Sequence, residues 1–125
     1  MTKVKKFEDV IAWQKARELV KMVYEMTREG DLARDFSLKD QIRRAAASIM
    51  SNIAEGFSRQ TDKEFIQFLY IARGSVSETQ SQLYVARDLG YIGVEEFNRV
   101  YEMASEIARL ITGFIRYLQE GLTGD

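Results

Sequence analysis

The 125-residue sequence contains no cysteine, no histidine and no proline. Without cysteine and histidine the chain cannot form a disulfide, a thiolate nucleophile, a Cys/His zinc site or a Ser-His-Asp triad. The Glu-x-x-His pairs of di-iron helical bundles are excluded for the same reason. The lack of proline favours long helices, because proline breaks helix interiors. We therefore expect no catalytic residues, no metal and no cofactor, and a protein that is not an enzyme.

Long apolar runs are also missing. No segment approaches the ~18 apolar residues that a membrane-spanning helix needs. The basic N-terminus is followed by Phe-Glu-Asp and not by the apolar stretch of a signal peptide. We expect a cytoplasmic protein without membrane contact, and no feature indicates a small-molecule substrate. The length suits one domain with a single core, spanning residues 1–125.

Net charge is −1, which is low for a nucleic-acid-binding domain, since such domains are usually strongly basic. The charge is unevenly distributed along the chain. Residues 91–125 carry six acidic side chains against three arginines, and residues 1–90 carry 15 basic side chains against 13 acidic ones. Any basic surface must therefore be local.

Apolar residues recur at spacings of three and four in four segments, at about residues 10–28, 38–56, 62–89 and 94–120. Ser37 and Thr61 begin capping-box patterns before the second and third of these helices. The glycines at positions 30, 56, 90 and 121 are predicted to mark the helix ends, with a loop over residues 31–36. Short connections make successive helices antiparallel, so the sequence predicts an all-α, up-down-up-down four-helix bundle.

The first and last predicted helices show more apolar surface than one core-facing stripe needs. Exposed apolar patches of this size are rare on monomers, which indicates a homo-oligomer. The alternative is that broad apolar helices wrap a wide core within one chain. The extra residues are Ile11, Leu19, Met22 and Met26 on the first helix and Tyr101, Met103, Ala108, Leu110, Ile115 and Tyr117 on the last.

Residues 41–56 embed polar side chains in a small-residue, apolar helix. Arg43 has no acidic residue four positions away, so it is free to meet another helix, another subunit or a phosphate. Arg44 follows Asp40 by four residues and can form an exposed ion pair instead. A ring of subunits would repeat such cations around an axis, whereas a monomer would leave them as scattered, solvated charges. The candidates for nucleic-acid contacts are Arg43, Arg44, Arg59, Lys63 and Arg73.

Other polar or small residues are better explained by structure. Asn52 is expected to form an interhelical hydrogen bond that fixes register, and Glu55, unfavourable near a helix C-terminus, needs a partner such as Arg59. Gly74 interrupts a helix at a cost of about 1 kcal/mol, so we expect another helix, carrying residues 45–48, to approach it closely. The residues assigned structural roles are Asn52, Glu55, Gly56 and Gly74.

Four motifs carry a family resemblance. They are FxxVxxWQKA at residues 7–16, QIRRAAxSIxxNIAEG at residues 41–56, FxxFLxxAxGS at residues 65–75 and LGYI at residues 89–92. Together they resemble the signature of the four-helix-bundle proteins encoded in 23S rRNA intervening sequences. The likeness covers about residues 7–118, nearly the whole chain.

That family is similar to the accessory variability determinant proteins of diversity-generating retroelements. Members of both groups form homopentameric rings with a positively charged centre, and the retroelement proteins bind nucleic acid. The resemblance therefore implies a homopentamer that binds RNA or DNA through a basic central surface. The alternative is an oligomeric protein–protein interaction scaffold, with the same arginines in subunit-interface ion pairs.

Overall fold

The computed structural model describes residues 4–123, and all the regular structure in that range is helical. A single 3-10 turn, Phe7–Asp9, precedes five α-helices. Four of them, α1, α3, α4 and α5, form an up-down-up-down antiparallel bundle in which α1 and α4 each pack mainly against α3 and α5. The predicted all-α bundle is confirmed. The helices are α1 (Ile11–Met26), α2 (Gly30–Arg34), α3 (Phe36–Phe57), α4 (Asp62–Asp88) and α5 (Val94–Thr123).

Contacts between α4 and α5 show their antiparallel register. Arg73 Nη1 donates to Thr112 Oγ1 at 3.0 Å, and the rings of Tyr84 and Phe97 lie 4.9 Å apart in an edge-to-face arrangement. As residue numbers rise along α4, those of their partners on α5 fall. None of the helices within residues 4–123 is long and apolar enough to cross a membrane.

The core is built from the three-and-four spacing that the sequence displays. Leu19, Met26 and Ile115, which were expected outside it, are also buried, at 0%, 7% and 3% exposure. Part of the apolar surplus of α1 and α5 therefore covers the core of one chain and is not available to another subunit. Core residues with no measurable exposure include Ala16, Val23, Ile42, Ile49, Ile53, Leu69, Val76, Leu83, Val100, Ile107 and Ile111.

The connection after α1 differs from the predicted loop. The helix ends at Met26, where both the backbone N–H and the hydroxyl of Thr27 donate to the Val23 carbonyl. Gly30, with φ of 76°, begins the short helix α2 and does not end α1. At the other end of the chain α5 continues through Gly121 to Thr123, so Gly121 does not close it. Residues 124–125 lie outside the described residues.

The two predicted N-caps have different outcomes. Asp35 caps α3, because its Oδ1 accepts from the Leu38 backbone N–H at 3.1 Å. The capping box predicted at Ser37 is wrong, since Ser37 already lies inside the first turn of α3. The cap predicted at Thr61 is confirmed, with Oγ1 accepting from the Glu64 backbone N–H at 3.1 Å.

The turn between α4 and α5 is tied to the start of α3. Gly90 adopts φ of 77°, and the amides of Gly90 and Tyr91 donate to the carbonyls of Arg87 and Ala86, both at 2.9 Å. This is the Schellman pattern of a glycine-terminated helix. The Tyr91 hydroxyl then donates to Asp35 Oδ2 at 3.0 Å. That hydrogen bond first, and then burial, raises the pKa of Tyr91 above its usual value.

Candidate nucleic-acid interface

Arg43 joins α3 to α1. Its Nε donates to Thr27 Oγ1 at 2.7 Å, and its guanidinium lies over the Tyr24 ring at 4.2 Å. Thr27 is 1% exposed, so the hydrogen bond is made at the edge of the core. Of the three partners considered for Arg43, the structure shows another helix of the same chain. A phosphate would have to compete with both of these contacts.

Arg44 and Arg59 each form an ion pair within their own helical segment. Arg44 Nε lies 2.9 Å from Asp40 Oδ2, and both side chains are mostly exposed. Arg59 Nη2 lies 3.0 Å from Glu55 Oε2, the partner expected for that carboxylate, and its guanidinium covers the Phe68 ring at 4.7 Å. Exposed pairs of this kind contribute about 0.3–0.5 kcal/mol. Both arginines can therefore exchange their partner for another anion at little cost.

The remaining two candidates lie on α4. Lys63 is exposed in its first turn. Arg73 is half-buried in the middle, where it donates to Thr112 of α5 at 3.0 Å and lies over the Tyr70 ring at 4.8 Å. Arg73 therefore belongs to the groove between α4 and α5.

The five candidate cations do not form one patch within a chain. Arg43 faces α1 and Arg73 faces α5, and these two grooves lie on opposite sides of the bundle. Along α3, Arg43 and Arg59 are about 24 Å apart at ~1.5 Å of rise per residue. A continuous basic surface made of these residues therefore requires more than one subunit.

Asn52 does not form the interhelical hydrogen bond that was expected. Its Nδ2 donates to the carbonyl and hydroxyl oxygens of Ser48, at 2.8 and 2.9 Å, one turn earlier in the same helix. The bond between helices comes from Ser48, whose hydroxyl is 3.0 Å from that of Ser75 on α4. Asn52 thus supports the link between α3 and α4 through Ser48.

A glycine allows α3 and α4 to pack tightly at Gly56 and not at Gly74. A Cβ on Gly56 would lie 2.6 Å from Phe68 Cβ and 2.8 Å from Phe65 Cδ1. Gly74 is exposed, and a Cβ there would meet no atom of the described chain within 4 Å. The expectation that residues 45–48 pack on Gly74 is wrong, because α3 meets the adjacent residue, Ser75, instead.

Two arginines of α5 line a surface depression that was not predicted from the sequence. Arg109 and Arg116 lie two helical turns apart, with Gly113 between them and Thr112 beside them. The open depression that they line has a volume of about 360 Å³. Their seven-residue spacing was a usable signal, but the acidic excess of residues 91–125 concealed it. Arg73 reaches the same place from α4 through Thr112.

Apolar side chains are exposed along one side of α4. Ile71, Val85 and Leu89 are 53%, 44% and 55% exposed. Their spacing brings them to one helix face, with Gly74, Glu78 and Ser81 between them. We call these six residues the α4 outer face.

A second apolar surface lies between the start of α1 and the C-terminal half of α5. It is a groove of about 240 Å³ lined chiefly by Val4, Val10, Ile11, Leu110 and Phe114. Ile11 is 55% exposed at its rim. We call this surface the α1–α5 groove.

Within residues 4–123, no cluster of three or more acidic side chains offers a metal site.

Comparison with known proteins identifies the family. A crystal structure of a protein of unknown function from Bacteroides thetaiotaomicron VPI-5482, of the S23 ribosomal protein family, matches with a TM-score of 0.76. The sequence identity is 26%, over 83% of this chain and 97% of the other. No curated protein matches the sequence. The profile of the family described as 23S rRNA-intervening sequence protein matches residues 8–113, and the chain therefore belongs to that family.

Proposed function

We propose that the protein is a non-catalytic helical bundle that assembles into a ring of identical subunits and binds structured RNA through arginine side chains. The observation that carries the proposal is the pair of apolar surfaces, the α4 outer face and the α1–α5 groove. Since α4 packs on α3 and α5 and stands diagonally across from α1, these surfaces face different directions.

The two surfaces are suited to each other. The α4 outer face is a ridge on which Gly74 and Ser81 leave room between larger apolar side chains, and the α1–α5 groove is a concave apolar site. A contact between different surfaces of two identical subunits is heterologous, and repeating it generates a ring when the rotation closes. Burial in this contact would also compensate for the helix propensity that Gly74 forfeits, because no atom of the described residues packs against that position.

RNA binding follows from the family and from the arginines. The family description refers to 23S rRNA, and arginine is the side chain best suited to bidentate phosphate contacts. One subunit with a net charge of −1 is a weak polyanion binder. A ring repeats each local group of cations, and the repeated sites bind one RNA molecule with higher avidity.

The assembly is tested by solution mass and by mixing two variants. Light scattering after size exclusion should give a closed oligomer for the wild type. Ile71→Glu blocks the α4 outer face, Ile11→Glu blocks the α1–α5 groove, and each variant alone should be monomeric. Mixed together, the two variants retain one intact contact, because each supplies the surface that the other has lost. We expect the mixture to form a dimer that cannot grow further.

The alternatives give different masses. If Ile11→Glu remains oligomeric while Ile71→Glu dissociates, the contact is isologous through α4 and the ring is refuted. A monomeric wild type refutes the assembly outright. An assembled wild type that binds no RNA stem–loop at low salt refutes the RNA half of the proposal and favours a scaffold for a protein partner. Circular dichroism of each variant checks that the exposed substitutions leave the helices intact.

A further inference from the structure

We infer that the RNA phosphates contact the outer side of α5, where Arg109 and Arg116 flank Gly113, together with Arg73, which reaches Thr112 from α4. The inference rests on the proposed RNA binding, and it replaces most of the cations that the sequence suggested with residues of α5. We call Arg73, Arg109, Gly113 and Arg116 the α4–α5 arginine site.

The backbone of α5 sets the spacing of the site. Arg109 and Arg116 are seven residues apart and therefore project from the same side of the helix, about 10.5 Å apart along its axis. Gly113 lies between them without a side chain, and a Cβ there would meet no atom of residues 4–123 within 4 Å. A phosphate can therefore approach the helix surface with an arginine on either side.

Arg73 extends the site onto α4. Its Nη1 donates to Thr112 Oγ1, which holds the guanidinium at the edge of the depression that Thr112 helps to line. The remaining N–H groups of Arg73 stay available, since a guanidinium carries five donors. The hydroxyl proton of Thr112 can be donated to a phosphate oxygen in turn.

The charges of the site are only partly neutralised. Among residues 4–123, neither Arg73 nor Arg116 has a carboxylate within ion-pair distance. Arg109 Nη2 lies 3.6 Å from Glu102 Oε1, but both side chains are about two-thirds or more exposed, so this pair is weak. Glu120, one turn beyond Arg116, is exposed as well. Arg73 and Arg116 therefore keep their charge available to an anion, and Arg116 does so in a segment that is acidic overall.

The shape of the site favours an extended polyanion over a small molecule. Small ligands bind in concave pockets that bury most of their surface, whereas this depression is open and is floored by the side of a helix. Tyr70 lies beside Arg73 at 4.8 Å and is 44% exposed. An exposed aromatic ring next to phosphate-binding arginines offers a stacking surface for an unpaired base, as single-stranded loops of structured RNA require.

The α4–α5 arginine site also lies between the two proposed assembly surfaces. Its floor is α5, which borders the α1–α5 groove, and Arg73 extends it towards α4, which carries the α4 outer face. A ring closed through those surfaces would therefore present one copy of the site per subunit on the same side. Arg43, at the α1–α3 groove, would not share that position.

Fluorescence anisotropy with a labelled RNA stem–loop at low salt tests the assignment. Arg109→Gln with Arg116→Gln should weaken binding by about tenfold or more and lower the salt dependence by about two counterions. The matched control, Arg34→Gln with Arg99→Gln, removes the same charge from two exposed, ion-paired arginines elsewhere. We expect the control to bind within about twofold of the wild type.

A second pair of variants places the perturbation at the centre of the site. Gly113→Glu introduces a carboxylate between the arginines without a steric clash, because a Cβ at that position would meet no atom of the described residues within 4 Å. Gly113→Ala fills the same space without charge. The glutamate variant should lose detectable binding, while the alanine variant should bind as the wild type does. Light scattering should show the same assembly for both.

The possible outcomes separate the site from the function. If the wild type binds RNA and the α4–α5 variants bind as tightly, the site is wrong and the proposed function stands. Equal losses in the α4–α5 pair and in the control pair would also refute the site, since only total charge would then matter. No binding by the wild type refutes the proposed function itself.

Discussion

Replacing Gly56 by alanine tests the tight contact between α3 and α4. The new Cβ would lie 2.6 Å from Phe68 Cβ, 2.8 Å from Phe65 Cδ1 and 3.3 Å from the Phe65 carbonyl oxygen, whereas ordinary contact begins at 3.4 Å. Phe68 Cβ and the Phe65 carbonyl cannot move without their helix, so the two helices must separate. Overpacking of this kind costs about 1–3 kcal/mol. The better helix propensity of alanine offsets at most about 1 kcal/mol.

We expect the overpacking cost to lie near the upper end of its range, because backbone atoms are involved. After the offset from helix propensity, the free energy of unfolding should fall by about 2 kcal/mol. Gly74→Ala is the matched control, since the same substitution there meets open space within the chain. It should stabilise the protein by about 0.5–1 kcal/mol. Urea unfolding followed by circular dichroism measures both. Both variants are made in the Ile71→Glu background, which the proposed assembly predicts to be monomeric, so that assembly does not add to the measured stability.

The two glycine variants should therefore move the urea midpoint in opposite directions with an unchanged m-value. If Gly56→Ala is as stable as the wild type, the α3–α4 contact is looser than the distances indicate and the reasoning fails. If both variants gain stability equally, helix propensity alone decides the result and the packing at Gly56 contributes nothing.

Arg43→Ala should lower the free energy of unfolding by about 1–3 kcal/mol in urea unfolding, because it removes a part-buried hydrogen bond to Thr27 and a ring contact. Arg44→Ala should cost no more than about 0.5 kcal/mol, and equal losses would show that Arg43 does not join α1 to α3. The pKa of Tyr91 is raised, so the stabilising effect of its hydrogen bond to Asp35 should be complete below a pH of about 10. This effect should disappear as the pH rises above that value. The urea midpoints of wild type and Tyr91→Phe should converge over that alkaline range, and a constant difference would show that the hydrogen bond to Asp35 does not control the ionisation.

The long helices were predictable because each buries one face over many turns. The period of α4 and α5 repeats often enough to place their first residues, Asp62 and Val94, to within a residue. The five-residue helix α2 has too few turns to show a period. Its buried anchor, Leu32, is one apolar residue among polar ones, and the sequence around it is typical of a loop.

The error at Gly74 was avoidable, whereas the particular partner of Arg43 could not be predicted from the sequence. Gly74 is two residues from Ala72, which rotates it about 200° away from the buried stripe and onto the outer face. The partner of Arg43 is Thr27, 16 positions earlier and on another helix. Periodicity describes which face of a helix is buried, but it does not specify which side chain of a neighbouring helix lies opposite.

Asp35 uses both carboxylate oxygens at one end of the bundle. Oδ1 accepts from the Leu38 amide and caps α3, while Oδ2 accepts from Tyr91, 56 residues away in the turn before α5. We therefore expect the connection between α1 and α3 and the connection between α4 and α5 to open together, because a carboxylate that leaves one partner loosens the other. The α3–α4 connection at the opposite end depends on the local contact of Thr61 with Glu64 and can fray independently.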